Sequence, residues 1–254
     1  MSEPAQERYS FSKLNAFHTC PYGWWERYVN HKPGIGNAFS SFGTLVHSLM
    51  ERYAKGEAEI WDLPELYEWE FPSAVPEEFP PNKHTVLRDT YYKQGLDFLK
   101  RFQGYNQYKI LGVEKVFALP VNDWTFTGII DIIFADEKGR LIIRDYKSKA
   151  GFKNAKEQKE YARQLYLYSL EAKKEFGRYP DELQFLMFRK QMLVKIPFDK
   201  DALDEAVGWA DSTVHAIRDA ISYPPTCDAF FGNYLCNHRE YCPFRIEPGG
   251  RRKK

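Results

Sequence analysis

The chain has little net charge and no long apolar run. Its 254 residues carry a formal charge of +1 at pH 7, so no overall basic field points to nucleic acid, and such binding would require a local groove. No apolar run approaches the length that crosses a bilayer, which predicts no membrane partner. Glu3 and Glu7 lie near the start without an apolar signal region, and we therefore expect a cytoplasmic, reducing setting.

Internal repeats and a Walker phosphate loop (G-x-x-x-x-G-K-S/T) are also absent, which excludes an ATP-driven motor. The four cysteines include no two close pairs of the kind that a zinc knuckle prefers. Cys236 and Cys242 enclose five residues, Cys227 and Cys236 enclose eight, and Cys20 is more than two hundred residues away. Four irregularly spaced thiolates can hold an iron–sulfur cluster, and independent reduced cysteines are the alternative.

Hydrophobic periodicity predicts an α/β domain with a mixed, mostly antiparallel sheet. The predicted helices cover about 12–17, 24–29, 42–56, 85–102, 155–176 and 199–221. The predicted strands cover about 110–119, 124–134, 141–146, 183–188 and 193–196. The prolines from Pro64 to Pro81 predict a surface excursion without a helix or strand.

Polar residues interrupt the two central strands of this sheet. Residues two apart share a strand face, so Asp145 and Lys147 point to the same side and Tyr146 to the other. A turn over 136–139 makes the strands a hairpin, which brings Asp131 close to them. Two carboxylates and a lysine suit a divalent cation acting on a phosphodiester. The alternative is a turn carboxylate and an exposed charge pair.

Two helices add further candidates. His47 lies at the edge of the apolar stripe of its helix, where a metal ligand or an ordinary surface histidine is possible. Gln164 and Tyr168 are one helical turn apart, so they can present an amide and a phenol to one ligand. Tyr168 also fits a core stripe, whereas Gln164 is harder to bury.

The order of these motifs resembles the RecB-type nucleases of the PD-(D/E)XK superfamily. In layout the chain is similar to their iron–sulfur members, namely the CRISPR-associated adaptation exonucleases and the AddB nuclease domain. The motifs are Cys20-Pro21, Gly43-x-x-x-His47, Gly128-x-x-Asp131, Asp145-x-Lys147, Gln164-x-x-x-Tyr168 and the tail cysteines.

The resemblance implies one metal site. Its ligands to Mg²⁺ or Mn²⁺ would be His47, Asp131, Asp145 and the main-chain carbonyl of Tyr146. Lys147 would activate the attacking water and stabilise charge on the phosphate. Gln164 and Tyr168 would contact DNA or support the metal site, and Glu114 resembles an acidic residue of the first strand, a second-tier candidate.

The resemblance also implies a [4Fe–4S] cluster on Cys20, Cys227, Cys236 and Cys242 that joins the two chain ends. Relatives have two tail cysteines separated by two residues, whereas Asn233 stands three residues before Cys236, so zinc is the alternative group and His238 a substitute ligand. We therefore predict a single nuclease domain over 1–254. Its cysteine element comprises 1–35 and 222–245, and its catalytic core comprises 36–221.

The implied function is metal-dependent DNA cleavage, with exonuclease action on single-stranded or free ends in DNA processing, repair, recombination or CRISPR adaptation. A bacterial, archaeal or phage-encoded protein of this type would need ends supplied by a helicase, a recombinase or a CRISPR integration complex. Two alternatives stay open. One is a catalytically inactive nucleic-acid-binding or assembly subunit, and the other is an interaction domain stabilised by zinc or a cluster.

Overall fold

A computed structural model describes residues 7–245 as a six-stranded mixed sheet between two layers of helices. The strands are β1 (Arg8–Ser10), β2 (Tyr108–Val121), β3 (Trp124–Asp136), β4 (Leu141–Lys147), β5 (Glu182–Met187) and β6 (Met192–Pro197). The helices are α1 (Phe11–Thr19), α2 (Pro21–Tyr28), α3 (Ala38–Ala54), α4 (Leu63–Ala74), α5 (Leu87–Arg101), α6 (Ala155–Phe176) and α7 (Lys200–Arg218).

Strand β3 is the centre of the sheet because it has three partners. β2 pairs antiparallel with it along its whole length, and this pairing occupies one edge. Its other edge pairs in parallel with β1 at 125–127 and antiparallel with β4 at 132–135. β4 continues in parallel onto β5, which pairs antiparallel with β6. The predicted β3–β4 hairpin and mixed sheet are therefore confirmed.

Each face of the sheet buries its own apolar core. One core packs α1, α2, α6 and α7 on the sheet through side chains such as Leu14, Trp124, Leu165 and Val214. The other packs α3, α4 and α5 through side chains such as Phe42, Tyr67 and Phe134. Each helical layer removes apolar strand side chains from water, which is the main favourable term in folding. None of the described helices has the length and apolarity needed to cross a membrane.

Local signals explain most helix boundaries. Helix α6 begins after Asn154, whose side chain accepts a hydrogen bond from the Glu157 N–H, and it ends at Gly177 with a φ of +71°. The predicted limits of this helix, 155–176, are confirmed.

Two local features differ from the prediction. The stretch that contains Pro64 and Pro72 was expected to lack a helix, but it forms α4. Pro64 lies in the first turn, where its missing N–H costs no hydrogen bond, and Pro72 lies close to the end of the helix. Strand β1 was not predicted, because three residues are too short to show a period of two.

Candidate active site

Strand β3 has a stretch with no neighbour on one edge. β1 pairs with residues 125–127 and β4 pairs only from residue 132, so residues 128–131 have no strand partner on that edge in the described chain. Asp131 is the last residue of this stretch, directly before the Ile132 and Arg144 pair. Because β1 and β4 pair with different parts of this edge, the Asp131 carboxylate is left accessible beside the end of β4.

The peptide units around Tyr146 connect three predicted site residues. The Tyr146 N–H donates to Asp131 Oδ2 at 2.7 Å, and its carbonyl oxygen accepts from His47 Nε2 at 3.0 Å. A carbonyl oxygen only accepts hydrogen bonds, so His47 Nε2 must carry the proton. In the neutral ring Nδ1 then has a free lone pair and is an acceptor. Nδ1 lies 3.6 Å from Asp131 Oδ2, so two acceptors face each other. A cation between them would satisfy both.

Glu114 belongs to this group. One donor atom each from His47, Glu114 and Asp131 all lie within 4.8 Å of one another. Glu114 lies opposite Asp131, since Val113 pairs with Ile132 and Lys115 with Ile130. Its φ of +46° is a left-handed conformation that costs energy for a residue other than glycine. The structure thus brings the second-tier candidate into the same group as the first-tier ones, through a backbone kink that the sequence does not reveal.

The electrostatics of the group favour bound positive charge. Burial and the nearby Asp145 charge raise the pKa of Asp131 well above its usual value. Burial and the Glu51 carboxylate also raise the pKa of Glu114, whereas burial lowers the pKa of His47 and keeps it neutral, as a metal ligand must be. Asp145 is 3% exposed, and its Oδ2 accepts no hydrogen bond from any described residue. Acidic oxygens and one imidazole therefore fit a divalent cation.

Lys147 is held by two partners. Its Nζ lies 2.7 Å from Asp145 Oδ2, an ion-pair contact without hydrogen-bond geometry, and it donates to Gln164 Oε1 at 2.8 Å. Gln164 Nε2 donates in turn to the Tyr168 hydroxyl at 3.0 Å. The Tyr168 ring also packs against Gly128 in the unpaired stretch of β3, since a Cβ there would lie 2.8 Å from the ring. Gln164 and Tyr168 thus connect the lysine to the strand, and Tyr168 is buried rather than open to a ligand.

Two glycines of the motifs make room for these contacts. A Cβ on Gly128 would lie 2.6 Å from the Phe117 ring and 2.8 Å from the Tyr168 ring. A Cβ on Gly43 would lie 3.3 Å from Ser148 Oγ, so this glycine accommodates the segment after β4 beside α3. The close approach of Tyr168 to β3 explains why Gly128 precedes Asp131 at this spacing.

A second lysine beside the site was missed. Lys149 Nζ lies 4.3 Å from the centroid of the Tyr161 ring, and Lys147 Nζ lies 5.7 Å from the same centroid. Lys149 also donates to Glu157 at 2.5 Å. The sequence did contain a signal for Lys149. It lies two residues after Lys147, and residues two apart on a continuing strand share one face.

Comparison with known proteins identifies the family. The sequence profile described as "PD-(D/E)XK nuclease superfamily" matches residues 8–246. The chain belongs to this superfamily. PD-(D/E)XK nucleases use divalent metals, which agrees with the acidic group at His47, Glu114 and Asp131. A comparison with curated proteins found no match.

A solved structure supports the fold. A protein named "Putative exonuclease" from Eubacterium rectale aligns over 98% of this chain and 96% of its own, with a TM-score of 0.57 and 12% identity. At this identity the likeness establishes the fold alone. A second solved structure aligns over 97% of this chain and 90% of its own at 16% identity, but its TM-score of 0.39 is too low to support an argument.

The four cysteines of this PD-(D/E)XK chain lie in one region. The Cys20 and Cys236 sulfurs both lie close to Gly23, where an added Cβ would be 3.9 and 3.7 Å from them. The Cys227 side chain forms a hydrogen bond with Cys20, and this bond is the largest of the effects that lower the pKa of Cys20 to about 5. Cys242 is close enough to Cys236 for its charge to raise the pKa of that thiol, together with burial. The region therefore contains thiol chemistry suited to a soft metal group.

A cavity beside these thiols is lined in part by a buried histidine without hydrogen-bond partners. Its volume is about 120 Å³, and its lining includes Cys20, Arg27, Cys236 and His238. The His238 side chain is 4% exposed, and neither ring nitrogen has a hydrogen-bond partner among residues 7–245. Buried polar groups without partners are rare in native proteins and often face an ion or water. Both the thiols and this orphaned imidazole fit a metal group bound here.

Proposed function

We propose that this chain is a metal-dependent deoxyribonuclease that hydrolyses phosphodiester bonds as an exonuclease on single-stranded ends. The observation that carries the proposal is the convergence of His47, Glu114 and Asp131 beside the Asp145 and Lys147 pair. Acidic and imidazole ligands next to a lysine supply the two parts that phosphodiester hydrolysis needs, namely a cation site and a fixed positive charge. The choice of an exonuclease rests on the resemblance in motif order to the CRISPR-associated adaptation exonucleases.

The residues that would hold Mg²⁺ or Mn²⁺ are His47 through Nδ1, the carboxylates of Asp131 and Asp145, and the carbonyl of Tyr146. Glu114 joins them because its carboxylate lies within 4.8 Å of the His47 and Asp131 donors. The Tyr146 carbonyl has a second lone pair besides the one that accepts from His47. Mg²⁺ and Mn²⁺ prefer such oxygen-rich sites.

A bound cation supplies charge neutralisation at the phosphate and lowers the pKa of water. The chain's own residues do the rest. Lys147 places a positive charge where negative charge develops on the phosphodiester, and its contacts with Asp145 and Gln164 hold it there before the substrate binds. Gln164 and Tyr168 are positioning residues in this proposal, since they act through Lys147.

We also propose that Cys20, Cys227, Cys236 and Cys242 hold a [4Fe–4S] cluster, with zinc as the alternative group. The hydrogen bond between Cys20 and Cys227 supports Cys227 as a ligand despite its distance in sequence from Cys236. A cluster here would be structural, because it closes a loop over most of the chain. The same junction is joined by the Ile35 N–H, which donates to the Asn237 carbonyl at 2.7 Å.

The biological setting follows the same proposal. Because these 254 residues contain no Walker phosphate loop, the nuclease would act on ends supplied by a partner helicase, a recombinase or a CRISPR integration complex. A cysteine-bearing nuclease of the CRISPR-adaptation or AddB type matches this requirement.

A time course on end-labelled DNA tests the activity. Single- and double-stranded substrates, labelled at either end, are incubated with Mn²⁺ and anaerobically purified protein. We expect progressive shortening of single strands that D145N and K147A abolish. D123N is the matched control, because Asp123 belongs to an exposed group with Asp211 and His215 away from the site. Absence of Mn²⁺-dependent products, or full activity in both site variants, contradicts the proposal. DNA binding without product would indicate an inactive binding subunit.

A further inference from the structure

A polar pocket lies between α1, α6 and α7, outside the candidate active site. Its volume is about 420 Å³, which is within the range of pockets that bind small ligands. Its lining residues are Asn15, His18, Thr19, Glu160, Arg163 and Trp209.

The wall of the pocket is an aromatic and guanidinium stack on Trp209. The His18 ring lies 5.4 Å from the Trp209 ring, with 27° between their planes. The Arg163 guanidinium carbon lies 4.9 Å from the centroid of the same indole. Flat surfaces of this kind bind nucleobases by stacking, and they do so with little sequence preference.

Arg163 has unused hydrogen-bonding capacity. Its Nε is buried and has no hydrogen-bond partner among the described residues. A guanidinium presents five N–H donors and suits phosphate oxygens geometrically. An arginine that stacks on an indole and retains free donors in a pocket is therefore a candidate phosphate contact.

The tautomer of His18 adds an acceptor. The Thr213 hydroxyl donates to the Trp209 carbonyl at 2.7 Å, so it accepts the bond from His18 Nε2 at 2.9 Å. Nδ1 of the neutral ring is then a lone pair. Burial and the Arg163 charge lower the pKa of His18, which keeps the ring neutral near pH 7. Arg163 is thus the cation of the pocket, and His18 and Glu160 are its acceptors.

We propose that this pocket binds one nucleotide of a single-stranded nucleic acid, with the phosphate at Arg163 and the base against the His18 and Trp209 rings. The Glu160 carboxylate and His18 Nδ1 would accept from base amino groups. Arg163 directly precedes Gln164, which bonds Lys147, so the pocket lies on the helix that positions the catalytic lysine. The substrate class rests on the proposed nuclease function, and the pocket would hold the strand beyond the cleaved bond.

Equilibrium binding of a fluorescent poly-dC oligonucleotide, whose bases carry amino groups, tests the pocket in EDTA without cleavage. We expect R163Q to weaken binding at least about fivefold and to reduce the slope of log affinity against log salt by about 0.7. R163K should fall between R163Q and wild type, because it keeps the charge but not the planar stack. K159Q is the matched control, since Lys159 is exposed on the same helix and pairs with Glu205. Its affinity should change less than about twofold.

The outcomes separate the pocket from the nuclease proposal. Equal affinities for R163Q and K159Q would overturn the pocket, even if Mn²⁺-dependent cleavage is observed. Weaker binding by R163Q in a protein that never cleaves DNA would support the pocket and leave the nuclease proposal refuted. W209F serves as a second variant, because it keeps an aromatic ring but reduces the stack. If R163Q unfolds, a loss of affinity in folded W209F supports the pocket and unchanged affinity overturns it.

Discussion

The Tyr168 ring packs directly against Gly128, where an added Cβ would lie 2.8 Å from the ring. Gly128 begins the stretch of β3 that has no neighbouring strand on one edge, and its missing side chain lets a helix side chain approach the strand there. The Tyr168 hydroxyl accepts from Gln164, which in turn accepts from Lys147. The break in strand pairing and the position of the lysine are therefore connected by one side chain.

Replacing Tyr168 by phenylalanine tests this connection. The ring stays buried, but Gln164 Nε2 loses its acceptor, which should destabilise the fold by about 1 kcal/mol. Turnover should fall about tenfold, because Gln164 no longer holds Lys147 in one orientation. The measurements are chemical unfolding and single-turnover cleavage. Y166F is the control, since Tyr166 is on the same helix and its ring faces Phe198. Equal effects of the two variants would refute the connection.

Gly128 should not tolerate a side chain. An alanine Cβ would overlap the rings of Phe117 and Tyr168, so G128A should lower the free energy of unfolding by about 1–3 kcal/mol. G128A should also reduce turnover, as Y168F does. Gly208, within α7, is the matched control because an added Cβ there meets no atom within 4 Å. G208A should instead stabilise the protein by about 0.5–1 kcal/mol. Thermal unfolding of both variants tests this prediction. A G128A variant as stable as wild type would contradict it.

The parts of the site that follow from simple periodicity could be predicted from the sequence. Asp145 and Lys147 share a face because strand side chains alternate, and their contact at 2.7 Å confirms this. The hairpin with β4 likewise brings Asp131 next to Tyr146, as the turn residues indicate. Both relationships connect residues that are close in sequence.

The remaining features depend on contacts between distant segments. The unpaired stretch of β3 exists because β1, more than one hundred residues earlier, ends at Ser10 and β4 pairs only from residue 132. Glu114 has a left-handed backbone opposite Asp131, and glutamate has no intrinsic preference for this conformation. Neither the residue types nor their spacing carry this information.

The metal-free protein should be more stable when Asp131 is neutral. Burial and the Asp145 charge raise the pKa of Asp131 in the folded state, so its ionised form destabilises the fold. D131N should therefore raise the melting temperature in EDTA at pH 7, and asparagine can still accept from the Tyr146 N–H. The gain should shrink as the pH falls and vanish below the ordinary aspartate pKa of about 3.9.

Added Mn²⁺ should reverse that order of stability. Binding to the folded state alone stabilises it by mass action, so wild type should gain melting temperature and D131N should gain little. D204N should respond to Mn²⁺ like wild type, because Asp204 is exposed on α7 and pairs with Lys200 away from the site. An equal Mn²⁺ response in D131N would remove Asp131 from the ligand set.

The two lysines near Tyr161 should have separable effects. Lys147 contacts Asp145 and Gln164 within the site, so K147A should lower kcat about a hundredfold or more without weakening Mn²⁺ binding. Lys149 pairs with Glu157 and stacks on Tyr161, so K149A should raise KM several-fold and leave kcat almost unchanged. Steady-state kinetics on single-stranded DNA with Mn²⁺ titration distinguishes them. The same kinetic change in both variants would show that they share one role.

The cysteine region allows a gain-of-function test of the cluster ligands. If Cys227 is a ligand, C227S should lose most of its iron and sulfide, which wild type should hold at about four of each per chain. Asn233 stands three residues before Cys236, and its side-chain oxygen accepts a hydrogen bond from Arg245 Nε at 3.0 Å.

Adding N233C to C227S restores the close cysteine spacing of the iron–sulfur relatives. We expect iron, sulfide and visible absorbance to return in the double variant, together with slower hydrogen exchange at the junction of Ile35 and Asn237. The reason is that a cluster held at both chain ends suppresses local opening there. Full iron content in C227S alone would remove Cys227 from the ligand set. Zinc in place of iron and sulfide in wild type would replace the cluster with a mononuclear site.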